Sequence, residues 1–217
     1  MKNHSPFTQR FEQLPHSLPV FPLLNAVMMP GAFLPLNIFE PRYLNMFTDA
    51  MKGDQLIGMI QPKDKELSGN PPPLFQVGCA GRITRYEETN DGRLAVMLAG
   101  LCRFKIEKEI TNVRGYRVVV PDWSEYQHDY EDQGENQENT LMLNGALRQY
   151  FTEKNVEVNW DSFEEVSTEV LLNNMIGQLP FTPQDKQMLI EIPDLETRVK
   201  SFCALLEVEK ESDKKAH

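Results

Sequence analysis

The sequence has 217 residues, of which 41% are hydrophobic and 25% charged, and its formal net charge is -10. This composition is typical of a soluble globular protein that folds without disulfide or metal staples. Residues 1–120 carry 14 Lys and Arg against 11 Asp and Glu, whereas residues 121–217 carry 8 against 21. The acidic balance argues against nonspecific binding to nucleic acid or to an anionic membrane surface.

Cysteine and histidine usage indicates a reducing compartment and no metal. The three cysteines include no C-x-x-C pair, and the four histidines are scattered without metal-ligand spacing. Residues 1–17 lack the apolar segment of a signal peptide, and no apolar run reaches the ~20 residues of a membrane span. We expect a cytoplasmic protein with no cofactor.

The first half of the chain is predicted to begin with strands and one helix. Leu18–Leu24 is a short apolar segment with two prolines, which predicts an edge strand. After a turn at Met29–Gly31, Ala32–Phe39 predicts a second strand. Apolar residues at helical spacing predict a helix over Glu40–Lys52, and Gln55–Ile60 predicts a third strand.

A hairpin is predicted from Val77–Tyr86 and Arg93–Leu98, because Asn90-Asp91-Gly92 between them tolerates the positive φ of a tight turn. Leu101–Ile106 and Tyr116–Val120 predict two more strands. About six strands with short links predict a closed or nearly closed barrel. The alternation in Leu101–Ile106 predicts that Cys102, Phe104 and Ile106 share one face, and that Leu101, Arg103 and Lys105 share the other.

The segment Asp122–Glu138 contains seven acidic residues and no Lys or Arg, which is typical of a solvated linker. It divides the chain into a predicted barrel subdomain, residues 1–122, and a predicted helical bundle, residues 139–217.

The bundle is predicted from apolar stripes and helix caps. The first helix covers about Thr140–Lys154. A capping box at Ser162–Glu165 predicts a helix that runs to about Leu179. Two later helices are predicted to start at Thr182-Pro183 and at Pro193-Asp194.

A series of motifs, in order, resembles the N-terminal substrate-binding domain of the Lon protease family over about residues 18–208. The motifs are Leu18–Leu23 with Met29–Gly31, Leu34–Tyr43, Gly78–Ile83, Asp91–Arg93, Gly100–Phe104, Leu179–Thr182 and Lys186–Leu195.

The resemblance implies an α+β fold, with a PUA-like β-barrel followed by a helical bundle, and a role in binding polypeptides. A full Lon protease also has an ATPase module with a G-x-x-x-x-G-K-[ST] loop and a Ser–Lys protease domain. This sequence has no such loop and ends at His217. We therefore expect a non-catalytic protein- or peptide-binding module.

Five residues are candidates for peptide contact. Met28 and Met29 lie in a predicted loop beside Pro30-Gly31, where flexible thioethers would be exposed to varied apolar partners. Phe33, Phe39 and Tyr43 complete the set. An alternative for Tyr43 is that it packs inward from the first turn of its helix.

Two alternatives remain open. An RNA-binding PUA-like module would need a continuous basic face, and the barrel contains Arg82, Arg85, Arg93, Arg103, Lys105, Arg114 and Arg117. These residues can instead occupy ordinary outward-facing strand positions and pair with acidic side chains. A small-molecule enzyme would need a concave pocket with convergent polar groups and shifted pKa values.

Overall fold

The computed structural model describes residues 9–63, 72–131, 134 and 136–216, and places the strands in the first half of the chain. The strands are β1 (Leu18–Pro22), β2 (Phe33–Ile38), β3 (Leu56–Ile60), β4 (Val77–Glu88), β5 (Leu94–Ile110) and β6 (Arg117–Asp122). The helices are α1 (Pro41–Lys52), α2 (Gln137–Glu153), α3 (Asp161–Glu164), α4 (Thr168–Gln178), α5 (Pro183–Glu191) and α6 (Leu195–Ala216). The predicted α+β class is confirmed.

The six strands form one sheet in the order β2-β5-β4-β3-β1-β6, and β6 also pairs with β5. Five strands therefore close into a ring, which leaves no free edge within the ring itself. Strand β2 lies outside the ring, where it pairs antiparallel with Leu94–Ala99 of β5.

The prediction that β1 is an edge strand is wrong. β1 lies between β3, which it pairs with in parallel, and β6, which it pairs with antiparallel. The two prolines are tolerated because the neighbours are staggered: β6 pairs with Leu18–Val20 and β3 with Val20–Pro22. Within these registers, Val20 is the residue flanked on both sides.

The single 17-residue strand β5 begins at Leu94 and joins two segments that were predicted as separate strands, Arg93–Leu98 and Leu101–Ile106. Cys102, Phe104 and Ile106, which were predicted to share one face of this strand, are all buried.

Helix boundaries follow from local capping chemistry. Pro41 begins α1, and Thr182 and Pro183 begin α5, as predicted. The single helix predicted from Ser162 to Leu179 is wrong, because it is divided into α3 and α4. The hydroxyl of Ser167 accepts a hydrogen bond from the Val170 N–H and so caps a new helix.

The acidic segment Asp122–Glu138 is not a solvated linker as far as the structure describes it. Ser124–Tyr130 forms a 3₁₀ helix that packs on β5. Asp129 is 3% exposed. Residues 132, 133 and 135 lie outside the described part of the chain.

Arg103 explains the burial of Asp129. The outward orientation predicted for Arg103 is wrong, because its side chain is fully buried. The guanidinium forms a paired contact with the Asp129 carboxylate, with Nη2 2.7 Å from Oδ1 and Nε 3.1 Å from Oδ2. The backbone N–H of Arg103 donates to the same carboxylate at 2.8 Å. The Tyr126 ring lies beneath the guanidinium, 4.5 Å from centroid to Cζ.

The same guanidinium reaches the helical half of the chain. Nη1 donates to the carbonyls of Ile190 and Ile192 at 3.1 and 2.6 Å, and Nη2 donates to that of Pro193 at 3.1 Å. These carbonyls lie where α5 ends and lacks intrahelical donors. Arg103 therefore joins β5, the 3₁₀ helix and the α5–α6 junction.

A second junction is the loop between β1 and β2, which lies between the barrel and the bundle. On the bundle side, Asn173 of α4 donates to the Pro30 carbonyl at 2.9 Å. Lys186 of α5 donates to the Gly177 carbonyl at 2.9 Å and reaches the Asn25 carbonyl at 3.5 Å. One hydrophobic core accordingly includes residues from both halves. The division into subdomains 1–122 and 139–217 stays a prediction, and residues 1–8 and 217 lie outside the described ranges.

On the barrel side, the loop lies over two glycines that are register partners, Gly81 on β4 and Gly100 on β5. A Cβ built on Gly81 would lie 2.4 Å from the Met28 Cε, and one built on Gly100 would lie 2.0 Å from the Met29 carbonyl oxygen. The absence of both side chains makes room for the loop.

We expect Gly100→Ala to lower the free energy of unfolding by roughly 1–3 kcal/mol or more, because the Met29 backbone would have to move. Gly145→Ala is the control: a Cβ at this position in α2 meets nothing within 4 Å. It should stabilise the protein by about 0.5–1 kcal/mol. Urea unfolding followed by circular dichroism measures both, and a neutral Gly100→Ala would contradict the close approach.

We expect Asp129→Ala to cost roughly 3–5 kcal/mol, because it leaves the buried Arg103 guanidinium without its carboxylate. Glu125→Ala, in the same 3₁₀ helix, removes a half-exposed partner 3.6 Å from Lys105. It should cost less than about 1 kcal/mol. Equal losses for the two variants in urea unfolding would contradict the central role of Arg103.

Candidate polypeptide-binding surface

Strands β2, β5 and β4 lie side by side, and one face of this three-stranded region points away from the core. We call it the outer sheet face. Its three cross-strand rows are Phe33–Ala99–Arg82, Pro35–Met97–Arg85 and Asn37–Ala95–Glu87.

The opposite face explains why this one is exposed. Leu36, Val96 and Tyr86 form a cross-strand row on the inner side, where Leu36 and Val96 are buried and Tyr86 contacts Phe47 of α1. Side chains alternate between the faces of a strand, so burial of Leu36 places its neighbours Pro35 and Asn37 outside.

The apolar residues of the outer sheet face are adjacent to one another on β2 and β5. Phe33 is 63% exposed, Pro35 and Ala95 are exposed, and Met97 and Ala99 are partly exposed. An exposed apolar patch with charged residues along one side is typical of a surface that binds another polypeptide.

Phe39 lies one residue beyond β2 and is 59% exposed. The Arg93 guanidinium lies over its ring at 5.5 Å, and Arg93 also pairs with Asp91 at 3.0 Å. Of the five candidate residues, Phe33 and Phe39 therefore have the predicted exposure. Their contact with a peptide stays a prediction.

The expected exposure of Met28 and Met29 is wrong, because they are 1% and 0% exposed. Their loop is covered by the bundle on one side and by the Gly81–Gly100 pair on the other. No local sequence pattern indicated this burial, since the covering residues are about 50 or more positions away.

Tyr43 is also buried, which favours the alternative that it packs inward. Its ring lies 4.1 Å from the Phe21 ring, and the Arg42 guanidinium lies 4.6 Å from its centroid. Burial raises the pKa of the Tyr43 phenol, an effect that Arg42 partly opposes.

The structure also locates residues that the sequence reasoning missed, namely Pro35, Met97 and Ala99. A signal for them is present in β5. Leu94, Val96 and Leu98 alternate with Ala95, Met97 and Ala99, so both faces of the strand are apolar although one of them is not covered.

Carboxylates accompany most of the basic side chains of the barrel, which weakens the RNA-binding alternative. Arg103 is buried against Asp129. The other pairs are Arg85 with Glu87, Arg93 with Asp91, Lys105 with Glu125, Arg114 with Asp49 and Arg117 with Glu109.

Two open clefts lie beside the helices and are wide enough for a small molecule. One, of about 510 Å³, includes Phe75, Met188 and Pro193 in its lining, and the other, of about 540 Å³, lies between α2 and α4. Asp194, in the first cleft, has a lowered pKa because it accepts the Thr197 N–H at the start of α6. This shift reflects helix capping and does not indicate acid–base chemistry.

Within the described ranges, no helix has the length and apolarity needed to cross a bilayer. The same residues contain no group of three or more His, Cys, Asp or Glu positioned to hold a metal ion.

Comparison with protein families gives a match over residues 17–208 to the substrate-binding domain of ATP-dependent protease La (LON). Among curated proteins, the chain is 26% identical to the Lon protease of Cytophaga hutchinsonii over 95% of its own length and 27% of that protein. It is 25% identical to the Lon protease of Flavobacterium johnsoniae over 91% of its length and 25% of that protein. The chain thus spans about a quarter of these relatives.

Two solved structures have a similar fold. The Lon N-terminal domain protein from Xanthomonas campestris aligns over 87% of this chain and 97% of its own, with a TM-score of 0.64 and 24% identity. The N-terminal domain of the Mycobacterium avium complex Lon protease aligns over 88% of this chain and 98% of its own, with a TM-score of 0.65 and 13% identity.

We expect the burial of Tyr43 to make the free energy of unfolding decrease with rising pH in the alkaline range. Since the pKa of Tyr43 is raised in the folded protein, the Tyr43 phenol ionises first in the unfolded chain, at about pH 10. The contribution of the Tyr43 phenol to the free energy of unfolding is complete below that pH and is lost as the pH rises towards the pKa of Tyr43 in the folded protein. Urea unfolding between about pH 9 and 11 should show a weaker pH dependence for Tyr43→Phe than for the wild type. Tyr86→Phe, which removes a phenol from a half-exposed residue, is the control. Equal pH dependence of Tyr43→Phe and wild type would contradict this origin.

Proposed function

Because the chain belongs to the family of LON substrate-binding domains, we propose that it binds polypeptide segments without hydrolysing them, through the outer sheet face. The bound segments are apolar stretches of unfolded or partly folded proteins. In this proposal, any ATP hydrolysis or proteolysis of such clients is carried out by other polypeptide segments or chains.

Family membership supports substrate binding in general, and the observation that carries the choice of surface is the exposure of Phe33 beside Pro35, Met97 and Ala99. Burial of a phenylalanine side chain at an interface contributes roughly 1.5–3 kcal/mol. Phe33 is therefore the side chain expected to contribute most to the affinity of the outer sheet face. Phe39 extends the apolar surface at the other end of β2.

The proposal also places the protein in the reducing environment of the bacterial cytoplasm. The supporting observation is that Cys79, Cys102 and Cys203 are thiols that form no disulfide. Cys79 and Cys102 are buried on the neighbouring strands β4 and β5.

The surface is tested with fluorescein-labelled, reduced and carboxymethylated α-lactalbumin, a permanently unfolded polypeptide, by fluorescence anisotropy. We expect Phe33→Asp to raise the Kd by at least about tenfold, because it places a charge in the apolar surface. Val113→Asp is the matched control: Val113 is 98% exposed in the turn between β5 and β6, away from the outer sheet face. It should change the Kd by less than about twofold.

Circular dichroism and urea unfolding establish that each variant is folded. Equal weakening by Phe33→Asp and Val113→Asp would mean that charge alone controls binding, and would contradict the assigned surface. If the wild type does not bind the unfolded protein, or binds a labelled RNA hairpin instead, the proposed function is wrong.

A further inference from the structure

Strand β2 has one edge without a neighbouring strand. Its residues Phe33–Ile38 pair with β5 on one side, and β2 ends the strand order of the sheet. Along its other side, the described residues contribute no paired strand. An unpaired edge presents backbone donors and acceptors to any extended chain that approaches it.

The register identifies which backbone groups face this edge. The Gly100 N–H donates to the Ala32 carbonyl at 2.8 Å, so the carbonyl of Ala32 points towards β5, and the N–H of Phe33 in the same peptide unit points away from it. Orientation alternates along an antiparallel strand. Leu34, Leu36 and Ile38 therefore also point to β5, whereas the N–H and C=O groups of Phe33 and Asn37, and the C=O of Pro35, point outward.

We propose that a client segment binds as an added, extended strand along this free edge of β2. The inference rests on the proposed function, and specifies the conformation that the bound client adopts. Backbone hydrogen bonds would supply sequence-independent affinity. The client side chains beside Phe33 and Pro35 would extend the outer sheet face by one strand and supply apolar contact.

Pro35 favours a client chain over a second copy of this protein as the occupant. It leaves the edge with two outward N–H donors, at Phe33 and Asn37, and three outward carbonyls. In antiparallel pairing of two β2 strands centred on Pro35, the two prolines would face each other and neither would donate. A client segment with an N–H opposite Pro35 can donate to the Pro35 carbonyl, so one of the two hydrogen bonds that facing prolines would lack is retained.

The length of the edge sets the size of the bound segment. Phe33 and Phe39 are six residues apart, which corresponds to about 20 Å in an extended strand. A client segment of about seven residues therefore spans both exposed rings. Apolar side chains at alternate positions suit the outer sheet face, and proline is excluded where the client N–H must donate.

The experiment compares Asn37→Pro with Asn37→Ala in the same anisotropy assay. Both remove the Asn37 side chain, but the proline alone removes the outward N–H. Since this N–H points away from β5, its loss leaves the β2–β5 pairing intact. We expect the Kd of Asn37→Pro to exceed that of Asn37→Ala by about threefold to tenfold.

The reverse change is Pro35→Ala, which restores the third donor of the edge. We expect it to lower the Kd for the unfolded protein and to increase self-association in sedimentation velocity. Unchanged affinity and unchanged oligomeric state would argue against the assigned role of Pro35.

Amide hydrogen exchange measured by NMR tests the wild type directly, without a variant that could misfold. On saturation with carboxymethylated α-lactalbumin, exchange at Phe33 and Asn37 should slow by at least about tenfold. Leu36, whose N–H already faces β5, serves as the internal reference.

The outcomes separate the two proposals. If Phe33→Asp weakens binding while Asn37→Pro does not and neither amide is protected, the client lies on the outer sheet face, and strand addition is wrong. If Phe33→Asp has no specific effect, the proposed surface fails. If Asn37→Pro binds more weakly than Asn37→Ala and both amides are protected, strand addition is supported.

Discussion

The contact between Arg103 and Asp129 connects the three parts of the molecule. Two buried charges are costly unless each is fully paired, and here the guanidinium also satisfies carbonyls at the end of α5. Strand β5 of the barrel, the 3₁₀ helix that follows β6 and the first two residues after α5 are thereby fixed together. Arg198, also buried, donates to the Pro193 carbonyl from the bundle side at 3.2 Å. The orientation of the bundle on the barrel depends on this polar junction as much as on the shared apolar core.

The second constraint is close packing at the loop between β1 and β2. The Gly81–Gly100 pair lets Met28 and Met29 lie against the sheet, and α4 and α5 cover the loop from the other side. Among the described elements, β2 packs extensively only against β5, although α4 contacts the loop that precedes β2. One region of the sheet therefore keeps an apolar surface and a free edge while the other strands close into a ring, and this asymmetry is the basis of the proposed client binding.

The candidate site was only partly predictable from sequence. Phe33 and Phe39 have the expected exposure, because they alternate with the inward-facing positions and point to the same side as Pro35 and Asn37. Leu36 points to the opposite side and is buried. Met28 and Met29 do not, since their environment is formed by glycines and helices far along the chain. Met97 and Ala99 could have been identified, because an exposed strand that is apolar on both faces indicates a surface with a partner. The free edge could not, since the prolines suggested an edge at β1 as strongly as at β2.

The sequence by itself determined the class of fold, most helix starts and the family, because local periodicity, capping residues and ordered motifs carry that information. Only the tertiary structure decided which charges and methionines are buried, which strand has a free edge, and where the apolar surface remains uncovered. The physical reason is that burial depends on what packs against a residue. For Arg103 the hydrogen-bonded partners Asp129 and Pro193 are 26 and 90 residues away, and no periodicity within a strand or helix records them.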